Sequence, residues 1–149
     1  MKNKSFFDST VRITSLRKRS PLEIMKRMKK INSRGGCIDK RILGLVVGLN
    51  CWGIRTDMSC QGHKNSKKPY PWITIEWKYL LMAARVLLEW NYKTHKDLFN
   101  KKSIFWIINP MATPEIKPLP TLPLEDLQKD AIAFGKFLQK LPKNHQWKE

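Results

Sequence analysis

Residues 59–63, Ser-Cys-Gln-Gly-His, place a hydroxyl, a thiol, an amide and an imidazole within one short stretch. A cysteine and a histidine three positions apart can act as thiolate and imidazole in catalysis, or can hydrogen-bond to a bound base. Gly62 permits close approach of a ligand, and the amides of such a turn can bind an anion. Taken singly, Cys60 is typical of a small buried residue and His63 of a polar surface residue. Because packing does not require all these types together, we interpret the stretch as a loop that contacts a ligand or substrate.

Two kinds of chemistry at this loop need further residues. A structural zinc site would combine the loop's cysteine and histidine with Cys37 and Cys51. The chain has no second closely spaced pair of ligands, and Cys51 lies among apolar residues at the end of a predicted helix, so we expect no metal. A nucleophilic enzyme would need a carboxylate that orients the histidine, for which Asp39 and Asp57 are the candidates.

The balance of charge indicates a polyanionic partner. The 149-residue chain holds 29 Lys and Arg against 12 Asp and Glu, a formal net charge of +17, and residues 1–56 alone carry +11. So large an excess repels itself in a compact chain, and we expect nucleic acid or another polyanion to bind it. The alternative is a surface on which basic residues are simply solvated.

Composition and cysteine count exclude several classes of protein. Hydrophobic residues make up 42% of the chain, with six Trp and six Phe, which suffices for the core of one domain and argues against a disordered chain. Three cysteines are an odd number for a secreted disulfide scaffold. No secretory signal is visible, and the longest apolar run, Ile42–Leu49, is too short to cross a bilayer. We therefore expect a cytoplasmic protein with no membrane partner.

The pattern along the chain predicts a single compact α/β (α+β) domain, residues 1–149, in which a small mixed sheet packs against about four helices. Ser20 and Pro21 are typical of a helix start, and Asp39 can cap a second helix. The predicted elements in chain order are a basic segment 1–19 with a short edge strand at 9–16, a helix that ends between residues 32 and 36, a helix at 39–50, a strand at 54–59, a strand at 71–77, a helix at 78–92, a strand at 103–109, a Pro-rich connector at 111–123 and a C-terminal helix from 124.

The apolar pattern also predicts how these elements pack. Gly44 and Gly48 permit close approach of another element to the second helix. In the third helix, the residues expected to face inward are Leu80, Leu81, Ala84, Leu87 and Leu88. The strand at 103–109 is almost continuously apolar, which favours a buried strand over an edge. Four prolines predict that 111–123 is extended on the surface, and the C-terminal helix should close the core rather than dock on a partner.

Residues 34–77 contain an ordered set that a known family also carries. The matching positions are Gly36, Ile38, Asp39, Ile42, Leu45, Asn50, Thr56, Ser59, Cys60 and Gly62. With this set the chain resembles the archaeal and eukaryotic wybutosine-synthesis methyltransferases, which modify a guanosine-derived base of phenylalanine tRNA with S-adenosylmethionine. It departs from their pattern at Met58, Gln61 and His63, the last of which stands where the family has an arginine. The Ser-Cys-x-Gly-His ending also resembles that of small uncharacterised bacterial and phage proteins.

The resemblance implies an RNA-associated protein of a tRNA-modification methyltransferase-like fold, with RNA favoured over DNA. It implies that catalysis would fall to Asp39, Cys60 and His63, and that S-adenosylmethionine would contact Asn50, Thr56, Ser59, Gln61 and Gly62. Groups for phosphate and for stacking on a base would be Arg55, Lys64, Lys67, Lys68, Tyr70 and Trp72, with core packing as the alternative for the two aromatics. The alternative function is a non-enzymatic basic module that binds nucleic acid, a nucleotide ligand or an acidic protein. A phage could encode such a module.

Overall fold

The computed structural model describes residues 18–33, 38–94, 103–119 and 122–147, so the strand predicted at 9–16 and Cys37 lie outside these ranges. The elements are α1 Pro21–Ser33, α2 Lys40–Cys51, β1 Thr56–Cys60, β2 Trp72–Ile75, a 3₁₀ turn Trp77–Tyr79, α3 Leu80–Thr94, β3 Trp106–Asn109, β4 Glu115–Pro118 and α4 Leu124–Lys140. Within the described ranges, four helices and one four-stranded sheet form a single domain, which confirms the predicted fold class. None of the described helices combines the length and apolarity needed to cross a membrane.

The ends of the first two helices follow local chemistry. Pro21 opens α1 as predicted, because its fixed φ suits the first helical position, and the amide of Ile24 donates to the carbonyl of Ser20 at 3.2 Å. Asp39 precedes α2 but makes no side-chain cap to it. Gly53, with a φ of 77°, follows α2 and turns the chain towards β1.

The sheet has the strand order β1-β2-β4-β3, and all its pairs are antiparallel, so it is not the mixed sheet we expected. The register pairs Ser59 with Ile73 and Cys60 with Trp72. Ile73 is fully buried. Because paired residues share a face and successive residues alternate, Ser59 lies on the core side of the sheet and Cys60 on the other side.

The Pro-rich segment 111–123 is not only a surface connector, because β4 within it lies in the middle of the sheet, between β2 and β3. Ile116 of this strand is fully buried. The amide of Leu119 donates to the carbonyl of Phe105 at 2.8 Å, so Pro118 lies at a non-hydrogen-bonded position towards β3. A proline there removes no ladder bond to β3, which explains how a proline-rich segment forms an interior strand.

The strand β3, predicted to be buried, lies at an edge of the sheet that the described strands form. A side chain of α3 covers its outer edge: Asn91 donates through Nδ2 to the carbonyl of Trp106 at 2.9 Å and accepts from its amide at 3.0 Å. The indole of Trp106 is buried and donates to Asp130 at 2.7 Å. The apolar run therefore reflects burial against the helices and not a central place in the sheet.

The helices α2 and α4 cross in close contact. A Cβ on Gly135 would lie 2.4 Å from the backbone of Gly44, and one on Gly48 would lie 2.9 Å from the side chain of Leu138. The stripe of α4 that packs here is fully buried and consists of Leu127, Ala131, Phe134 and Leu138. Both predictions, close packing at the α2 glycines and closure of the core by the C-terminal helix, are confirmed.

The helix α3 turns a different face to the core from the predicted one. Leu81 and Leu88 were expected to face inward, but they are 51% and 62% exposed. The buried apolar residues are Met82, Ala83, Val86, Leu87 and Trp90. The ring of Trp90 stacks on Phe134 of α4 at a centroid distance of 5.1 Å. This large aromatic contact decides which apolar stripe of the helix is buried.

Candidate functional site

The helix α2 and the strand β1 lie side by side in opposite directions, and a side-chain hydrogen bond joins them at each end. At one end Asn50 Nδ2 donates to Thr56 Oγ1 at 3.0 Å and to the carbonyl of Val46 at 2.8 Å. At the other end the amide of Gln61, just after β1, donates to Asp39 Oδ2 at 3.1 Å. The carboxylate of Asp39 thus serves the neighbouring loop and not the first turn of its own helix.

Asp39, Cys60 and His63 form one cluster at the second end. A carboxylate oxygen, the cysteine Sγ and a histidine ring nitrogen all lie within 4.8 Å of one another. Asp39 and Cys60 are partly buried, whereas His63 is exposed. Three such groups at this spacing can exchange protons or share a bound cation.

The backbone fixes the loop between Cys60 and His63. Gly62 has a φ of 85°, in the region that favours glycine, and a Cβ there would lie 2.6 Å from the backbone of Tyr70. The amide of Gly62 donates to Cys60 Sγ at 3.3 Å. The carbonyl of His63 accepts from the amide of Ser66 at 3.1 Å and from its hydroxyl at 3.0 Å, which closes the following turn. The loop therefore requires glycine at position 62.

A buried glutamine of α4 ties this loop to the core. Gln128, only 4% exposed, donates through Nε2 to the carbonyl of Gln61 at 3.0 Å and to that of Gly62 at 3.5 Å. The side-chain oxygen of Gln128 accepts from the guanidinium of Arg41. The backbone amide of Arg41 in turn donates to Gln61 Oε1 at 3.2 Å. Sequence reasoning identified neither Gln128 nor Arg41. The sequence signal that could have identified Gln128 was the place of a polar residue beside the apolar stripe of α4.

A cleft of about 820 Å³ opens at the first end of the α2–β1 pair and extends along it as far as Ile38 and Ser59. Apolar side chains from α1 and α2 line it, among them Ile24, Met28 and Val46. The polar residues of its lining include Asn50, Thr56 and Ser59. The cleft therefore offers an apolar wall opposite hydrogen-bonding groups, as sites for small molecules commonly do.

Three arginines give this cleft a positive charge. Arg19, Arg27 and Arg55 line it and are exposed. Within the described ranges, none of the three guanidinium groups forms an ion pair with a carboxylate. Asp57 is the one acidic residue among the described residues that line the cleft. The positive charge of the cleft is thus largely uncompensated.

The lysines singled out in the sequence lie on the loop between β1 and β2. Lys64 and Lys67 are exposed. Lys68 forms an ion pair with Glu115, which is nearly buried, so part of its charge is neutralised within the protein. The first two are available to a phosphate, whereas Lys68 has a structural partner.

The two aromatics of the same region differ in their surroundings. Trp72 lines the cleft, and Lys68 Nζ lies 4.6 Å from the centroid of its ring. Tyr70 is partly buried, with Lys117 Nζ at 5.1 Å from its ring centroid. Only Trp72 of the two lines the cleft, together with Tyr79 of the 3₁₀ turn, which sequence reasoning did not single out.

Ten of the site residues expected from the sequence thus fall into two groups in the structure. The cleft contains Asn50, Arg55, Thr56, Ser59 and Trp72. The cluster and its loop contain Asp39, Cys60, Gln61, Gly62 and His63. The two groups adjoin along the chain, because Ile38 and Ser59, the neighbours of two cluster residues, line the cleft.

Cys51 takes no part in either group. It is fully buried at the end of α2, and burial raises the pKa of its thiol, against the opposing effect of the nearby Lys18 charge. A raised thiol pKa keeps the sulfur protonated and unreactive at neutral pH. In the zinc arrangement weighed from the sequence, Cys51 was one of the ligands, but the group that lies beside Cys60 and His63 is Asp39.

Comparisons with known proteins leave the site to be interpreted from its own geometry. No family model, no curated protein and no solved structure matches the chain. The resemblance of residues 34–77 to a methyltransferase family therefore stays an expectation. The chemistry of the cleft and of the cluster decides which function is proposed.

Proposed function

We propose that the protein binds RNA and that its cleft holds one nucleotide of the bound strand. The observation that carries this proposal is the set of three arginines in the cleft, Arg19, Arg27 and Arg55, without carboxylate partners in the described part of the chain. Guanidinium groups favour phosphate, because each can bind two of its oxygens at once. RNA rather than DNA is proposed from the resemblance of residues 34–77 to enzymes that act on tRNA.

The size and lining of the cleft support a nucleotide as its ligand. Its volume of about 820 Å³ falls in the range of small-molecule sites, about 300–1,000 Å³. Two aromatic residues, Trp72 and Tyr79, are among those that line the cleft, and Tyr79 is buried. Asn50 uses Nδ2 for its bonds to Val46 and Thr56, and no described group donates to its Oδ1. That oxygen is therefore available to accept from an amino group of a base.

An S-adenosylmethionine-dependent enzyme is the second candidate, because a thiol and an imidazole lie beside the cleft along the chain. The charge of the cleft favours a nucleotide over this cofactor. S-adenosylmethionine carries a positive sulfonium, which the arginines repel, whereas a nucleotide carries a phosphate, which they attract. RNA binding is therefore the function that the geometry supports best.

Anisotropy of a labelled single-stranded RNA, measured at several salt concentrations, tests the proposal. The variant Arg27→Gln/Arg55→Gln removes two charges from the cleft, and Lys136→Gln/Lys140→Gln removes two from the exposed face of α4. Each phosphate contact to a single strand contributes about 0.7 to the salt slope, so we expect the cleft variant to lower it by about 1.4. Its affinity should fall at least tenfold, and the α4 variant should change both quantities much less.

Equal losses in the two variants would contradict the cleft as the RNA site, since the overall charge would then explain binding. A matched DNA strand tests the preference for RNA, and equal affinity for both would overturn it. Calorimetric titrations with guanosine monophosphate and with S-adenosylmethionine identify the ligand of the cleft. Nucleotide binding that is lost in the cleft variant supports the proposal. Binding of S-adenosylmethionine without nucleotide binding would favour the methyltransferase instead.

A further inference from the structure

We propose that Asp39, Cys60 and His63 form a zinc site with three protein ligands and an open fourth position. A carboxylate, a thiolate and an imidazole are the side-chain groups that zinc takes as ligands in proteins. Here one atom of each lies within 4.8 Å of the other two. The site departs from the expectation of no metal. The residues that would bind zinc are not those that would hold a nucleotide in the cleft.

The separations within the cluster suit a small tetrahedral cation. Zinc bonds of about 2.0–2.3 Å place the ligand atoms of a tetrahedron about 3.5 Å apart. The cluster, with separations of up to 4.8 Å, must contract by about 1.3 Å at most to reach this geometry. His63 is exposed, so its side chain can approach the other two ligand atoms by rotation about its own bonds, without displacing the core.

The loop already holds two of the three groups in place. The amide of Gly62 donates to Cys60 Sγ at 3.3 Å, and such a bond stabilises negative charge on a sulfur ligand. The amide of Gln61 donates to Asp39 Oδ2 at 3.1 Å, and no described group donates to Oδ1, which is free for a metal. The positive φ of Gly62 reverses the chain, so that residues three positions apart approach the same point.

The ligand set favours zinc over the common alkaline-earth cations. Magnesium and calcium prefer ligands that are all oxygen, whereas a thiolate with an imidazole favours a softer cation. Cys60 binds as the thiolate and releases its proton to solvent. The thiolate and the Asp39 carboxylate then carry two negative charges, which match the charge of Zn²⁺.

Three protein ligands leave the fourth position to water or a substrate, the arrangement found in catalytic zinc sites. Two other side chains are excluded as a fourth ligand, one by its hydrogen bond and one by its position. Gln61 Oε1 accepts from the amide of Arg41 at 3.2 Å, and Cys51 is buried at the other end of α2. The described residues therefore supply three ligands, and the exposure of His63 opens the fourth position to solvent.

Metal titration of the full chain, freed of metal with a chelator, tests this site. Competition with a chromophoric chelator measures zinc affinity, and Co²⁺ in place of zinc reports the ligands through its absorption spectrum. We expect one zinc per chain, a thiolate-to-cobalt charge-transfer band and the intense visible bands of a tetrahedral site. His63→Ala should lower zinc affinity at least tenfold, and Cys60→Ser should remove the charge-transfer band.

Two controls remove the same chemical groups outside the cluster. Cys51→Ala removes a thiol and His145→Gln an imidazole, and both variants should keep the affinity and the cobalt spectrum of the wild type. Because His63 is exposed, its replacement should leave the thermal unfolding of the metal-free protein unchanged. A wild type that binds no zinc, a cobalt complex without the thiolate band, or an unchanged affinity in His63→Ala would overturn the proposal.

Alkylation gives a second readout that does not depend on a variant. Cys60 is partly exposed, whereas Cys51 is buried and burial raises the pKa of its thiol, so iodoacetamide at neutral pH should label Cys60 much faster. Zinc should slow the labelling of Cys60 at least tenfold, as followed by mass spectrometry of its peptide. Labelling of Cys60 at the same rate with and without zinc would contradict its role as a ligand.

Discussion

The two ends of the α2–β1 pair are held in different ways. At the Asn50–Thr56 end, one side-chain hydrogen bond of 3.0 Å joins helix and strand beside an open cleft with exposed arginines. At the other end, Asp39 fixes the loop from one side and the buried Gln128 fixes it from the other, around a glycine that no other residue can replace without strain. The first end exposes positively charged arginines beside the cleft. At the second end, hydrogen bonds from two sides orient the loop and the carboxylate of Asp39.

The difference indicates which kind of ligand each end can accept. The exposed arginine side chains of the cleft can adjust to a flexible strand, and they supply attraction without fixed geometry. A metal instead requires ligands that are oriented in advance by a surrounding set of hydrogen bonds, as at the Asp39 end. The comparison therefore predicts that each end can be damaged without loss of the other, unless the scaffold common to both is damaged.

That scaffold is the crossing of α2 and α4, where we expect the largest effect. Gly135→Ala places a Cβ 2.4 to 2.6 Å from backbone atoms of Gly44 and Leu45, which cannot move aside as a flexible side chain can. Overpacking of this kind costs about 1–3 kcal/mol, and we expect about 3 kcal/mol from urea unfolding. Because α2 contributes to both ends, the affinities for RNA and for zinc should both fall.

Gly44→Ala is the matched control on the facing helix. Its Cβ would meet Gln139 Nε2 at 3.7 Å, an ordinary contact with a flexible side chain. Alanine in a helix is more favourable than glycine by about 1 kcal/mol, so stability should be unchanged or slightly higher. Similar losses in Gly44→Ala and Gly135→Ala would show that the close crossing does not limit stability.

Gly62→Ala should separate the two ends. The φ of 85° costs an alanine about 1–2 kcal/mol, and its Cβ would lie 2.6 Å from the backbone of Tyr70. We expect a loss of about 2 kcal/mol in unfolding free energy and at least tenfold weaker zinc binding, with RNA affinity within twofold of the wild type. Equal losses of the two affinities would show that the loop and the cleft form one site.

Much of the fold could be predicted because its signals are local. Pro21 sets the start of α1, Gly53 ends the turn after α2, and the periodic stripe of α4 identifies its buried face. The buried face of α3 could not be read in this way, because two apolar stripes compete and the stacking of Trp90 on Phe134 selects one of them. β4 was missed because the compatibility of Pro118 with the sheet depends on a register that only the partner strand defines.

The part of the candidate site that is formed by residues close in sequence could also be predicted. Cys60 and His63 are three residues apart, so their proximity follows from the turn at Gly62. Asp39 was expected to cap its helix, and only the packing of α2 beside β1 reveals that its carboxylate faces the loop. Gln128 lies 67 residues after Gln61, and no local pattern connects the two.

Gln128→Leu tests whether the second end depends on its tie to α4. Leucine keeps the volume but leaves the carbonyls of Gln61 and Gly62 without their donor, which costs about 1–3 kcal/mol, and we expect about 1.5. Zinc affinity should fall, and RNA affinity should not. Gln139→Leu is the control on the same helix, since Gln139 donates to the carbonyl of Gly44 and does not contact the loop. Equal losses of zinc affinity in both variants would contradict a specific role for the hydrogen bonds from Gln128 to the loop.

The smallest effect is expected at the Asn50–Thr56 end, where a single side-chain hydrogen bond joins helix and strand. In a double-mutant cycle of Asn50→Ala and Thr56→Val, followed by urea unfolding, the coupling should be about 1 kcal/mol, the value of one partly buried hydrogen bond. Asn50→Ala should also weaken nucleotide binding, because it removes the acceptor in the cleft, while zinc affinity stays unchanged. Additive effects would show that this bond adds nothing to stability. The first end would then be held by the backbone hydrogen bonds of the α2–β1 turn and by the buried Trp52, whose indole donates to the carbonyl of Leu138 at 2.9 Å.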